Sequence, residues 1–343
     1  MNGHFLRGFC AILLLASIAT MDSGCNHNKK KKQPPSKQLG ADLPTKTPPP
    51  VPPRVAMSIN PALQQAAKQE IINESVSPNA MLRAHAIEGI KDGMGVEGAA
   101  TIVKGMTDND RIVRFAAAVA AGELRLAQAQ DALLVLSDDA DPSVRVGAKF
   151  ALHRIGDKRQ SHDLEQSAKD PNPRTRGDTA MVLGLLGEPS AVRILTPMMF
   201  DPSQAIRMQA AESMWRLGNE RGLEALVSMT LSKYPDDRMI AVLALAGPRD
   251  PRALGHIYGQ LTSDWIEVSL VAARAAGMLG SEEGYGVALN GAKSTDARQR
   301  MLAALAMGAI GRSDSQQPLT LLLRDSDPDV RIAAATAILQ LKQ

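Results

Sequence analysis

One arginine position recurs every 31 residues through most of this 343-residue chain, and this period constrains the fold more than any other feature. The marks are Arg83, Arg114, Arg145, Arg176, Arg207, Arg238, Arg300 and Arg331, with Ser269 at the seventh position in register. The register runs without insertion or deletion. A fixed period of this length is typical of repeat proteins in which each unit packs on its neighbours.

Each repeat is predicted to form a hairpin of two helices. The residue three positions after the marked arginine is alanine in eight of nine repeats. Apolar residues follow near offsets six, seven and ten from the mark, and these positions share one face of a helix. Eleven residues after the mark, glycine stands in five repeats as a helix stop: Gly156, Gly187, Gly218, Gly280 and Gly311. An apolar residue at offset nineteen, such as Leu133, centres a second helix. The pattern predicts an all-α fold of antiparallel helix hairpins.

Helix starts carry capping residues. Asp141 and Asp327 each precede a proline, which places an N-cap acid before a proline at the first helical position. Asp110 and Asp296 supply the cap without the proline. The first helix of each repeat is therefore expected to begin about three residues before the mark.

The motif Asp-Pro-x-Val-Arg-x-x-Ala, read at Asp141 to Ala148 and again at Asp327 to Ala334, resembles the HEAT repeat. The resemblance is to the short variety typified by phycobilisome-lyase-like repeats, and it covers residues 61–343. It implies a right-handed α-solenoid whose second helices line the concave face. It also implies a ladder of Asp and Arg between repeats, here Arg114, Arg145, Arg176, Arg207, Arg238, Arg300, Arg331, Asp110, Asp141, Asp296 and Asp327.

The ends of the array follow from the register. Pro61 to Asn73 is predicted to be a lone second helix that caps the first hairpin. Eight hairpins follow, and a final first helix ends near Gln343 with its outer face uncovered. Nine layers at ~8–10 Å each predict a curved rod roughly 80–90 Å long.

The N-terminus resembles a bacterial lipoprotein signal. Residues 1–25 comprise a basic start, an apolar run and Ser23-Gly24-Cys25, so Cys25 is expected to be lipidated and anchored on the periplasmic side of a bacterial cell envelope. Asp22 departs from the aliphatic residue of the lipoprotein pattern. One alternative is cleavage before Thr20, which would secrete a soluble protein. Another is an uncleaved membrane anchor with Lys29 to Lys32 held on the inside.

Residues 26–60 are predicted to be an extended tether, because they contain Lys29 to Lys32 and eight prolines between Pro34 and Pro53. Residues 1–60 carry a net charge of +6 and residues 61–343 one of −3. The basicity therefore belongs to the tether, and the repeat array is not expected to bind nucleic acid.

Catalysis is not expected. No cysteine follows Cys25, and none of the six histidines is followed by glutamate, as it would be in di-iron HEAT enzymes. No metal site or cofactor is predicted, and the expected role is a scaffold that binds another protein. The alternative is an enzyme or enzyme accessory of the phycobilin-lyase-like branch.

The candidate surface for a partner is the stretch that holds all three tyrosines of the chain, because Tyr and Trp anchor interfaces. The candidate residues are Tyr234, His256, Tyr258, Gln260, Trp265 and Tyr285. A second candidate is the run Met198-Met199-Phe200, although methionines at helical spacing also suit a core.

Overall fold

The computed structural model describes residues 59–341, and within them every regular element is helical. The predicted all-α solenoid of helix hairpins is confirmed. The signal segment, Cys25 and residues 26–58 of the tether lie outside the described residues.

The helices alternate between long first helices, given even numbers here, and shorter second helices, given odd numbers. The first helices are α2 (Ala80–Gly89, continued by a π-turn at Ile90–Met94), α4 (Arg111–Leu124), α6 (Pro142–Arg154), α8 (Pro173–Leu186), α10 (Gln204–Arg216), α12 (Pro235–Ala246), α14 (Ile266–Met278), α16 (Ala297–Ile310) and α18 (Pro328–Leu341). The second helices are α1 (Pro61–Glu74), α3 (Ala99–Gly105), α5 (Gln130–Leu136), α7 (Leu164–Ser167), α9 (Val192–Met198), α11 (Glu220–Met229), α13 (Leu254–Tyr258), α15 (Tyr285–Gly291) and α17 (Gln316–Leu322).

Local chemistry sets where the first helices begin and end. The carboxylate of Asp141 accepts hydrogen bonds from the backbone N–H groups of Ser143 and Val144, and Asp296 caps α16 in the same way. All five glycines at offset eleven have φ between 75° and 113°, a left-handed conformation that terminates a helix at little cost for glycine. The glycine stops and the helix starts therefore lie where the repeat pattern places them.

The array closes on itself. Helix α18, the last helix of the described chain, packs against α1 and α2, the first two helices. Arg331 donates to Glu70 through Nε at 2.6 Å and to Glu74 through Nη2 at 2.7 Å, and His85 Nδ1 lies 2.6 Å from Asp329 Oδ1. The expectation of an open rod about 80–90 Å long was wrong, and the solenoid is a ring.

Helix α1 makes the closure. Every other second helix lies between two consecutive first helices, as α11 lies between α10 and α12. Helix α1 lies in the same way between α18 and α2, and its Ala67 and Ile71 are fully buried there. The ninth hairpin is thus assembled from the two ends of the described chain, so the final first helix has no uncovered outer face.

The first helices form the inner layer of the ring. Consecutive first helices pack directly on one another all the way round, whereas in residues 59–341 no second helix packs extensively on another second helix. Small residues permit this, since a Cβ added at Gly122, Gly184 or Gly308 would lie 2.7–2.8 Å from a Cα of the next first helix. The implied placement of second helices on the concave face was therefore wrong, because the more closely spaced helices must lie on the inside of the curve.

The interior of the ring is filled by side chains. Helical geometry directs the fifth residue after each mark inward, away from the second helices. All nine of these residues are buried: Glu88, Val119, Phe150, Met181, Glu212, Leu243, Arg274, Leu305 and Thr336. The described residues therefore enclose a packed centre rather than an open channel.

The arginine marks connect successive loops. Arg114 forms a bidentate pair with Asp139 at 2.8 and 3.0 Å, and its Nη1 donates to the carbonyls of Asp108 and Asn109. Each such arginine thereby joins the loop before its helix to the loop after the following second helix. The same bidentate pairing links Arg83 to Asp108, Arg176 to Asp201 and Arg300 to Asp325.

The ladder carboxylates are not the helix caps. Asp110 and Asp141 were expected to pair with the arginine marks, but the paired acid stands two residues before each cap, at Asp108 and Asp139. Asp141 Oδ1 accepts from its own helix N-terminus, and its Oδ2 pairs with Arg174 at 3.0 Å rather than with an arginine mark. Asp296 and Asp327 likewise act as caps.

We expect small-angle scattering of residues 59–343 to give a largest dimension of roughly 55 Å, because nine inner helices ~9 Å apart and one outer layer make a disk of that width. The radius of gyration should be close to ~19 Å, the value of a compact domain of this length. A largest dimension of 80 Å or more would contradict the closed ring.

Arg176→Ala should lower the free energy of unfolding by about 2–4 kcal/mol at neutral pH, because it leaves the buried Asp201 unpaired. The guanidinium of Arg176 lowers the pKa of Asp201, so this contribution is present above the carboxyl's unfolded pKa and is lost as the pH falls through the folded one. Denaturant titrations at pH 7 and pH 3 measure both effects. The exposed Arg221→Ala is the control, and equal losses for the two variants would show that the pair does not stabilise the ring.

Candidate functional site

Exposed apolar side chains concentrate on one arc of the ring. The edge formed by the loops that join each second helix to the next first helix is called here the inter-hairpin edge. Three consecutive loops on it, after α9, α11 and α13, present five large apolar side chains to solvent. These residues, called here the apolar arc, are Phe200 (80% exposed), Leu231 (75%), Tyr234 (55%), Trp265 (46%) and Ile266 (39%).

Tyr234 and Trp265 stand at a position where the other seven repeats have Asn, Asp or Ser, six of which accept a capping hydrogen bond. They are the N-cap residues of α12 and α14, and neither side chain accepts a capping hydrogen bond. The corresponding residues of the other seven repeats are Asn79, Asp110, Asp141, Asn172, Ser203, Asp296 and Asp327. Loss of a cap costs about 1 kcal/mol, so an aromatic ring at this position is unfavourable for local stability.

The arginine ladder is interrupted at the same loops. Ser232 and Ser263 stand where four other loops have the paired aspartate, and Ser269 replaces an arginine mark. Arg207 therefore donates through Nη1 to the carbonyls of Asp201 and Pro202, and Arg238 donates through Nε to the carbonyl of Ser232. The remaining N–H groups of both guanidiniums lack a carboxylate partner in the described residues.

Charged groups of both signs border the apolar arc. Lys233 Nζ lies 4.9 Å from the centre of the Tyr234 ring, as in a cation–π contact. Asp236 pairs with Arg298 at 3.2 Å, and Asp237 accepts hydrogen bonds from Gln204 and Ser232. The arc is thus an apolar surface with aromatic rings and a nearly balanced charged border.

The six candidate residues do not form one cluster. Only Tyr234 and Trp265 belong to the apolar arc. Tyr258 packs against the hydrophobic core and His256 is half-buried, both on the outer helix α13, whereas Gln260 is buried just beyond the end of that helix. Tyr285 begins α15 at the opposite edge, where burial raises the pKa of its hydroxyl and Arg312 lies 4.6 Å over its ring.

Of the methionine-rich run, only Phe200 belongs to the exposed surface, because Met198 is buried in the core. Leu231 and Ile266 were missed. The available signal was the column comparison. Phe200 and Leu231 share a column that is polar in six of the other seven repeats, and an aromatic at the cap position breaks a column that is otherwise polar.

A second polar cluster lies inside the ring and is closed to solvent. Lys91 Nζ lies 2.7 Å from Glu123 Oε2 and 3.1 Å from Asp92 Oδ1, with all three residues buried. Burial raises the pKa of Glu88 well above its usual value, although the charges of Lys91 and Arg274 act against this. Because these side chains face the packed centre, they bear on stability rather than on recognition.

Within residues 59–341, no group of three or more His, Cys, Asp or Glu side chains is placed to hold a metal ion. No helix in the same span combines the length and apolar character needed to cross a bilayer.

A family model for HEAT repeats matches residues 65–153, 161–246 and 256–340. The chain belongs to the HEAT-repeat family. A search of curated proteins finds no relative of this sequence.

Solved structures with similar folds include the CpcE–CpcF complex of phycocyanin lyase from Nostoc, with 17% identity, a TM-score of 0.44, and coverage of 82% of this chain and 100% of the other. Human deoxyhypusine hydroxylase aligns with 18% identity over 74% of this HEAT protein and 99% of its own chain, with a TM-score of 0.38. YibA from Escherichia coli aligns with 19% identity over 76% of this chain and 100% of its own, with a TM-score of 0.34.

Proposed function

We propose that this HEAT-repeat protein is an exported, lipid-anchored scaffold that binds another protein through the apolar arc and has no catalysis of its own. The observation that carries the proposal is the pair Tyr234 and Trp265, which stand exposed at two consecutive cap positions. These side chains make no capping hydrogen bond, and about half of each residue's surface remains exposed to solvent. Residues that break a local rule without structural gain are expected at functional sites.

The chemistry of the arc suits a protein partner. Tyrosine and tryptophan contribute large contact areas at low entropic cost and are common among residues that dominate binding energy. The two rings lie on neighbouring repeats, and Phe200 and Leu231 extend the apolar surface beside them. A rigid ring of packed helices would present all of these groups without a large ordering penalty.

The export part of the proposal rests on the sequence. Ser23-Gly24-Cys25 follows an apolar run, and the tether begins directly after it. Acylation at Cys25 would place the ring at the periplasmic face of a bacterial envelope membrane, within reach of a tether that spans roughly 100 Å when extended. Secretion as a soluble protein is the alternative.

The double variant Tyr234→Asp, Trp265→Asp should be more stable than the wild type by about 1 kcal/mol per site, because each aspartate restores an N-cap. The same variant should lose the partner that wild-type protein captures from an envelope extract. Thermal unfolding and quantitative capture measure the two effects on one preparation.

Leu321→Ser is the control, since it removes an exposed apolar side chain that lies outside the apolar arc, on the outer helix α17. It should capture the partner as the wild type does. Retained capture by the double variant would contradict the proposed surface. A purified protein that carries a coloured tetrapyrrole would instead favour the lyase-like alternative.

Mass spectrometry of the mature protein should find an N-terminal peptide that begins at an acylated Cys25. A mature chain that begins at Thr20 with an unmodified Cys25 thiol would contradict lipid anchoring and support secretion.

A further inference from the structure

Two arginines of the ladder keep their place in the register but have lost the acid that belongs to it. Five of the arginine marks are followed, 25 residues later, by an aspartate: Asp108, Asp139, Asp170, Asp201 and Asp325. Arg331 binds two glutamates of α1 instead. Arg207 and Arg238 alone among the arginine marks are followed by serine at this position. The ladder therefore leaves part of the donor set of these two guanidiniums unused.

Both guanidiniums belong to the region of the apolar arc. A ladder arginine lies between the loop before its own helix and the loop after the following second helix. By this register Arg207 lies between the loops of Phe200 and Tyr234, and Arg238 lies between the loops of Tyr234 and Trp265. The exposed apolar side chains and the guanidiniums thus alternate along the inter-hairpin edge.

The unused donors have the geometry that binds a carboxylate elsewhere in the ring. Arg207 donates through Nη1 to two loop carbonyls, as Arg114 and Arg176 do, and its Nε and Nη2 have no acceptor within residues 59–341. Arg238 uses Nε for its loop carbonyl, so both of its Nη groups lack an acceptor in the same span. Two parallel N–H groups of a guanidinium bind a carboxylate in bidentate form.

The acids nearby do not satisfy these donors. In the described chain neither guanidinium forms an ion pair with any of the acids on these loops and helix starts, which are Asp201, Asp236, Asp237 and Asp264. Asp201 and Asp236 pair with Arg176 and Arg298 instead. Unpaired guanidiniums between exposed apolar side chains favour a ligand that is both acidic and apolar.

We propose that the partner of the apolar arc presents aspartate or glutamate side chains among large apolar ones, and that these carboxylates take the place of the missing ladder acids at Arg207 and Arg238. This inference rests on the proposed function, since it names the chemistry of the partner. The aromatic rings supply contact area, and the half-buried guanidiniums select a partner with acids at the matching places.

Restoring the acid within the chain tests whether the donors are available to a carboxylate. Ser263→Asp should pair with Arg238 as the ladder aspartates do, and should raise the melting temperature of the mature chain by about 2–4 °C. Ser294→Asp is the matched control, because it adds the same charge at the equivalent loop position, where Ser269 offers no guanidinium. It should give no increase. Equal shifts for the two variants would overturn the proposal.

A library of random short peptides displayed on phage, selected on the immobilised mature chain, tests the chemistry of the partner. Clones that bind the wild type but not the uncharged variant Tyr234→Ala, Trp265→Ala should contain Asp and Glu about twice as often as the unselected library. A synthetic peptide of the most enriched clone should bind Ser263→Asp about tenfold more weakly than the wild type, and Ser294→Asp equally well. Clones without an excess of acids, or a selection without such clones, would refute the acidic partner.

The outcomes separate this inference from the proposed function. If Ser263→Asp still captures the partner from an envelope extract while Tyr234→Asp, Trp265→Asp does not, the arc remains the binding surface and the acidic partner is excluded. The mature chain with Cys25→Ser, which cannot be acylated, should be monomeric in light scattering. A dimer that Ser263→Asp dissociates would identify a second copy of this chain as the occupant and would contradict a separate acidic partner.

Discussion

Close contact between neighbouring first helices determines the curvature of this protein. Alanine at offset three and glycine at Gly122, Gly184 and Gly308 remove the side-chain volume that would hold these helices apart. The second helices lack such contact with one another, so the two layers have different lengths and the array must bend toward the first helices. Nine repeats at this curvature complete a turn, and α1 enters the remaining gap between α18 and α2.

The repeat register predicted the hairpins, the glycine stops and the helix starts because each depends on residues close in sequence. The 31-residue period could not predict closure, which depends on the angle between successive repeats. The direction of the curvature depends on which layer of helices is more closely spaced. The resemblance to HEAT repeats implied that the second helices line the concave face, and this was wrong. The alanine column at offset three and the glycines at Gly122, Gly184 and Gly308 contained that information, since they place small residues where first helices meet.

The candidate surface was partly predictable for a related reason. The concentration of aromatic residues was visible, but clustering along the sequence does not establish proximity in space. Tyr234 and Tyr285 lie at opposite edges of the ring because the helix direction alternates within each hairpin. Position within the repeat is the better guide, since Tyr234 and Trp265 share one column while Tyr258 and Tyr285 occupy others.

The split ninth hairpin imposes an order on biosynthesis. Among the described helices α1 is synthesised first, and α18, which completes its hairpin, is synthesised last. Until then the apolar side of α1, which includes Ile71, has only α2 to cover it. The contact between α1 and α18 joins residues at opposite ends of the array, and long-range contacts of this kind form late in folding. Without α18 the sides of α1 and α2 that it covers would stay exposed, so the closed ring depends on a contact between the first and last helices of the described array.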